Sequence, residues 1–142
     1  MAPNFDLKDH VVAITGGSGG IGYATAELLL QQGAKVSICD VSDAALKEAV
    51  STLESKNYPG QLYAQVVDVR KPASVNDWTA KTVEKFGKLD GACNLAGVIP
   101  KGINVDRIEE MPEDEWRFVM DVNLNGGEFF EYEVEDFGGA RY

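Results

Sequence analysis

The chain has 142 residues and a mass of 15.4 kDa, one domain's worth by length, and a chain of that size buries about two thirds of its unfolded surface. Hydrophobic residues make up 44% and charged residues 25%, a globular balance that excludes a wholly disordered chain. The 23 acidic against 13 basic residues give a formal charge of -10, which argues against a nucleic-acid partner, and no apolar run reaches the roughly 18 residues of a membrane span.

Val11–Thr15 is a continuous apolar run, as a strand covered on both faces requires. Ile21, Ala24, Leu28 and Leu29 follow helical spacing, and Gly33 closes that helix. Lys35–Asp40 reads as a second strand. Ser42 supplies an N-cap oxygen, and Leu46, Ala49, Val50 and Leu53 share one face of the helix that follows. Tyr58-Pro59-Gly60 turns the chain, and Leu62–Val69 is a third strand. Pro72 suits a first helical turn, and Val75, Trp78, Thr82 and Phe86 form the next apolar stripe before Gly87 ends it. Leu89–Asn94 is a fourth strand. A loop runs from Gly97 to about Met111. Pro112, Glu113, Asp114 and Glu115 then open a fourth helix with acids at its positive end.

This alternation implies a parallel sheet with helical crossovers. Right-handed crossovers put the first two helices on one face of the sheet and the third on the other. The expected fold class is α/β, a Rossmann-like doubly wound parallel sheet truncated after the fourth strand, with strand order 3-2-1-4.

Thr15-Gly-Gly-Ser-Gly-Gly-Ile-Gly22 lies between the first strand and the first helix. Such a turn lets backbone N–H groups approach a pyrophosphate at a helix end that attracts anions. Asp40 ends the second strand, 18 residues past Gly22, where a carboxylate can accept hydrogen bonds from both hydroxyls of an adenosine ribose. The same carboxylate would face a 2′-phosphate anion to anion, and no Lys or Arg occurs between Thr15 and Gly33 to offset it. The expected cofactor is therefore NAD.

The spacing Thr15-Gly16-x-x-x-Gly20-x-Gly22 resembles that of the short-chain dehydrogenase/reductase family. Further matches follow in order. Asp68-Val69 is similar to the family's pair beside the adenine ring. Asn94-Leu-Ala-Gly97 is similar to its Asn-Asn-Ala-Gly motif, with Leu95 replacing the second Asn. Asp121-Val-Asn-Leu-Asn125 resembles the segment whose Asn joins the active site, which makes Asn123 the candidate catalytic residue. The resemblance covers about Asp6 to Gly126. It implies hydride transfer between a nicotinamide and a small-molecule alcohol or ketone, and a cofactor site built from Gly16, Ser18, Gly20, Ile21, Gly22, Asp40, Asp68, Val69, Asn94, Ala96 and Gly97. It also implies a catalytic Tyr with a Lys four residues on, a Ser that positions the substrate oxygen, and an Asn that holds a relay water.

Three of those four catalytic groups have no counterpart. Tyr23, Tyr58, Tyr63 and Tyr132 are followed at four residues by Glu27, Leu62, Val67 and Asp136, Tyr142 is the last residue, and no Ser occurs after Ser74. A Tyr near pH 7 is a poor proton-transfer group without an adjacent cation. Residues 1–126 are accordingly expected to be a partial NAD-binding domain and 127–142 a divergent acidic–aromatic tail that does not continue the preceding helical pattern. The alternatives to an enzyme are a non-catalytic nucleotide-binding fragment and a partner-binding protein. Phe130, Tyr132 and Val134 alternate with acids and fit a half-exposed edge strand beside strand four, although a disordered tail is the simpler expectation. An exposed fourth-strand edge invites self-association.

Met1–His10 lacks the cationic and apolar layout of a secretion signal, so the expected location is cytoplasmic. Cys39 and Cys93 end strands separated by a third and are expected to be two buried free thiols, too far apart for a disulfide. Trp78 and Trp116 fall on apolar helical faces and are expected to be core or packing residues. His10 stands alone and no Cys/His cluster suggests a metal site. The acids at 106, 109, 110 and 113–115 read as a solvated loop and helix start.

Overall fold

The computed structural model describes residues 6–101, 107–128 and 130. Its elements are β1 (Val11–Thr15), α1 (Gly20–Gln31), β2 (Lys35–Asp40), α2 (Asp43–Ser55), β3 (Gln61–Val66), α3 (Pro72–Phe86), β4 (Gly91–Asn94) and α4 (Glu113–Met120). The four strands form one sheet in the order β3-β2-β1-β4, with every pairing parallel. This is the strand order derived from the right-handed crossovers.

Side chains that alternate across the sheet feed two separate cores. On one face Ile14, Val36 and Ile38 pack with Ala26 and Leu30 of α1 and Leu46 and Leu53 of α2. On the other, Val11 and Ala13 pack with Val75, Trp78 and Phe86 of α3. The stripe expected on α3 is buried throughout. Its hydroxyls are satisfied, because Ser37 and Thr82 share a 2.7 Å hydrogen bond across the layers and Thr79 donates to the Val75 carbonyl. Local signals set the helix ends. The Ser42 Oγ accepts from the Ala45 N–H at 3.3 Å at the start of α2. Pro72 opens α3, and Gly87 closes it in the left-handed region at φ 85.

Several boundaries differ from the sequence reading. β3 ends at Val66 rather than Val69, because its only neighbour among the described residues, β2, ends opposite it at Asp40. Val67 makes one more bond to the Asp40 carbonyl, and Val67 and Val69 then turn into the interior. β4 starts at Gly91 rather than Leu89. Just before it, Asp90 holds Val11 at both ends, its N–H donating to the Val11 carbonyl at 2.9 Å and its Oδ2 accepting from the Val11 N–H at 2.8 Å.

The tryptophan expectation holds for Trp78, which is fully buried, and fails for Trp116, which is 49% exposed. α4 buries none of its residues among those described, so its apolar stripe lies open. Nor does the helical pattern stop at Gly126. A π-helical turn over Asp121–Asn125 continues α4, residues 126–128 and 130 are helical, and the buried Phe130 ring stacks on Trp78 with centroids 5.3 Å apart. The edge-strand and disorder expectations for the remainder of the tail fall on residues 131–142, outside the described residues. Cys39 is buried, but Cys93 is only half-buried, since among the described residues β4 has a neighbouring strand on one side alone. Both thiols are free, and burial pushes both up from their ordinary values. Among the described residues, no helix is long and apolar enough to cross a membrane.

Candidate functional site

A cavity of about 510 Å³ opens where the β1–α1 turn, the ends of β2 and β3, and the segment after β4 converge. In a parallel sheet the crevice beyond the strand ends, where the crossovers change face, is the expected place for a ligand. Its floor is the glycine turn. Gly16 has φ 68, and a Cβ there would lie 2.9 Å from the Ala96 backbone. A Cβ on Gly22 would lie 2.1 Å from the Gly16 carbonyl oxygen. Glycine at these two positions lets the turn fold back on itself and lets β1 approach the segment after β4. The first turn of α1 contains no acid and no side-chain cap, so its N-terminal partial charge is unopposed from within the helix.

Asp40 stands at the β2 end of this floor. Its Oδ2 accepts from the Ser18 hydroxyl at 2.5 Å and the Ser18 N–H at 3.3 Å, and its Oδ1 accepts from the Ser42 N–H at 3.2 Å. These bonds tie the carboxylate to the glycine turn and aim it along the cavity rim. Asp68, beyond β3, is held by Arg70. The guanidinium Nε and Nη2 donate to its two oxygens at 2.8 and 2.7 Å. This fork holds the Asp68 carboxyl below the ordinary carboxylate range against the opposing effect of burial. The Arg70 Cζ in turn lies 5.3 Å from the centroid of the Phe118 ring on α4.

Thr15 organises the opposite wall. Its Oγ1 accepts from the Leu95 and Ala96 N–H groups at 3.0 and 3.1 Å and donates to the Asn94 Oδ1 at 3.2 Å. One hydroxyl therefore joins the end of β1 to the segment after β4. Asn94 also donates from Nδ2 to the Gly127 carbonyl at 3.0 Å. Asn123, in the π-helical turn, grips Val98 at two points. Its Oδ1 accepts from the Val98 N–H at 2.8 Å, and its Nδ2 donates to the Val98 carbonyl at 2.9 Å.

Gly16, Ser18, Gly20, Ile21 and Gly22 of the turn line the cavity, as do Asp40, Asp68 and Val69, and Ala96 and Gly97. Asn94 and Asn123 do not. They line an adjacent recess of about 490 Å³ beside Leu124 and Gly127. The side-chain amide of Asn123 uses one acceptor and one donor position on Val98. The sequence reading missed Thr15 as a junction and Arg70 and Phe118 as cavity walls. Thr15 precedes the glycines, so its position alone marked it. Arg70 follows Asp68 by two residues, a signal for a local ion pair. Nothing in the local sequence of α4 links Phe118 to residue 70.

Known proteins resemble this chain in sequence and in fold. Residues 10–130 match the short chain dehydrogenase family. A short-chain dehydrogenase/reductase, aba4, of Botryotinia fuckeliana (strain B05.10) is 47% identical over 120 residues, which cover 84% of this chain and 46% of that protein. The chanoclavine-I dehydrogenase ifgE of Penicillium roqueforti (strain FM164) is 38% identical over 123 residues, 84% of this chain and 47% of its own length. The structure of a short-chain dehydrogenase/reductase from Burkholderia phymatum in complex with NAD superposes with a TM-score of 0.85 at 28% identity, covering 94% of this chain and 45% of that one. The chain thus spans about half the length of the relatives it matches.

Proposed function

This chain belongs to the short-chain dehydrogenase family, and from that premise we propose that its cavity binds NAD(H). In this reading the N–H groups of the glycine turn and the first turn of α1 hold the pyrophosphate. Asp40 receives the ribose hydroxyls, and Asp68 and Val69 border the adenine. The observation that carries the reading is the carboxylate of Asp40, fixed by Ser18 and Ser42 beside an anion-seeking helix end. A ribose 2′-phosphate would meet that carboxylate charge to charge, so NAD(H) is favoured over NADP(H).

The bound cofactor would supply or accept a hydride at an alcohol or ketone carbon. This chain's own groups would bind and orient the dinucleotide. None of them is a Tyr with a Lys four residues on, so we assign these 142 residues cofactor binding and not proton transfer. Asn123 contributes by fixing the Val98 backbone beside the cavity, since both ends of its amide are engaged there.

Titration of NADH fluorescence tests the reading. Asp40→Ala is expected to raise the Kd about tenfold or more, the worth of a charge-assisted hydrogen bond. An unchanged Kd in the folded variant would remove Asp40 from the site. A panel of alcohols should give no turnover, and a rate abolished by Asn123→Ala would overturn the assignment to binding alone.

A further inference from the structure

Two stretches of one helical run are held very differently. Residues 126–128 and 130 are anchored. A Cβ on Gly126 would lie 2.9 Å from the Val69 Cγ2, the Gly127 carbonyl accepts from Asn94, and Phe130 is fully buried against Trp78. α4, by contrast, buries none of its residues, and Trp116 and Phe118 are 49% and 41% exposed. Between the two lies the π-helical turn Asp121–Asn125, the kind of wider coil at which helices bend. Asn123 pins that turn to Val98. Ahead of the pin, α4 is tied to the rest of the described chain by the Arg70 guanidinium over the Phe118 ring and by Glu115 on the Lys101 N–H. An eight-residue helix is too short to persist in water unsupported, so what holds α4 against the cavity decides whether it stays formed.

We propose that α4 is a hinged wall of the cavity, pivoting on the π-helical turn, latched by Arg70 through Phe118 and held shut by a bound ligand. Phe118 and Val122 both line the cavity, so a ligand there meets this lining in full only while the wall is docked. A ligand that binds the docked state better draws the population toward it, and by reciprocity whatever loosens the wall weakens the ligand. The segment after the pivot does not share in this motion, because it is built into the core through Phe130. The proposal takes its ligand from the nucleotide reading above.

The test is peptide-resolved hydrogen exchange of the full chain, free and saturated with NADH. In the free chain the amides of 113–120 should exchange faster than those of 72–86, and bound NADH should slow them about fivefold or more. Phe118→Leu leaves the Arg70–Asp68 pair intact and removes only the ring face. It should speed exchange over 113–120 about threefold or more without speeding 72–86, and raise the Kd for NADH by a similar factor. Arg70→Lys, which keeps a cation for the ring, should fall between wild type and Arg70→Ala. An α4 that exchanges at one rate free and bound overturns the proposal, as does one already as protected as α3 in the free chain. Equal acceleration of 113–120 and 72–86 in folded Phe118→Leu also overturns it, since that is a general loss of stability and not an opened latch. If NADH does not bind at all, the nucleotide reading has failed and this proposal falls with it, a result distinct from binding without slowing at α4.

Discussion

α3 and α4 each carry a tryptophan on an apolar stripe, yet one helix is sealed and the other stands open. α3 buries Val75, Trp78, Thr79, Thr82 and Phe86 beneath the sheet. α4 buries none of its residues, and Trp116 and Phe118 stay substantially exposed. α3 has β1 above it and Phe130 beside it. α4 is held by single contacts instead: Phe118 to Arg70, Glu115 to the Lys101 N–H, and, one turn on, Asn123 to Val98. An amphipathic pattern therefore identifies a face that wants cover without saying that the described chain covers it. Here α3 is a floor of the fold, whereas α4 is a wall of the cavity attached through its side chains.

The sharpest way to break this contrast is a pair of truncations. Trp78→Ala should cost about 3–5 kcal/mol, the usual loss for a buried aromatic. Trp116→Ala should change stability by no more than about 0.5 kcal/mol. Urea unfolding of the two variants gives both numbers, and equal losses would mean that α4 is as firmly packed as α3. A smaller effect is expected at the attachment point of α4. Asn123→Ala removes two hydrogen bonds to Val98 and should cost about 1–3 kcal/mol. It should also speed hydrogen exchange at the Val98 amide while leaving the amides of α3 protected, and unaltered exchange at Val98 would show that α4 does not depend on this clamp.

The smallest effect concerns pH. Arg70 holds the Asp68 carboxyl below its ordinary value. Burial pushes the Asp90 carboxyl up, but Lys88 and the Val11 N–H outweigh it and leave that group low as well. A carboxyl with a depressed folded value stabilises the native state above its unfolded value near 4, and that contribution disappears as pH falls through the depressed one. Stability should accordingly be flat near neutrality and decline below about pH 4. Asp90→Asn, whose amide does not titrate, should show a shallower acid decline in a thermal-melt series, and an identical decline would place the loss elsewhere.

Much of the architecture was legible because its signals are local. The apolar runs at Val11–Thr15 and Lys35–Asp40, the cap at Ser42 and the punctuation by Pro72 and Gly87 each act within a few residues of where they stand in the chain. The cavity floor was legible for the same reason, since Gly16, Gly22 and Asp40 owe their roles to backbone position at strand ends. What escaped depends on distant partners. β3 stops where β2 stops, which its own sequence does not record. Phe118 becomes a cavity residue only because Arg70 reaches it from the turn after β3. Trp116 has the pattern of a core residue, yet among the described residues it stays 49% exposed. Phe130 belongs to a segment whose acidic composition suggested a break, yet its ring fills the space beside Trp78.

The clamp between Asp90 and Val11 has a consequence for how the polypeptide acquires its shape. β1 sits inside the sheet, with β2 on one flank and β4 on the other, but the residue that latches its second flank is encoded 79 positions later. As the nascent chain leaves the ribosome, β1 and β2 can zip together early, while the other flank of β1 stays bare until α3 and its strand have emerged. Long-range parallel pairing of this kind raises contact order and slows folding. The half-assembled sheet offers an unsatisfied inner ladder, the sort of surface on which chaperones act and misassembly begins.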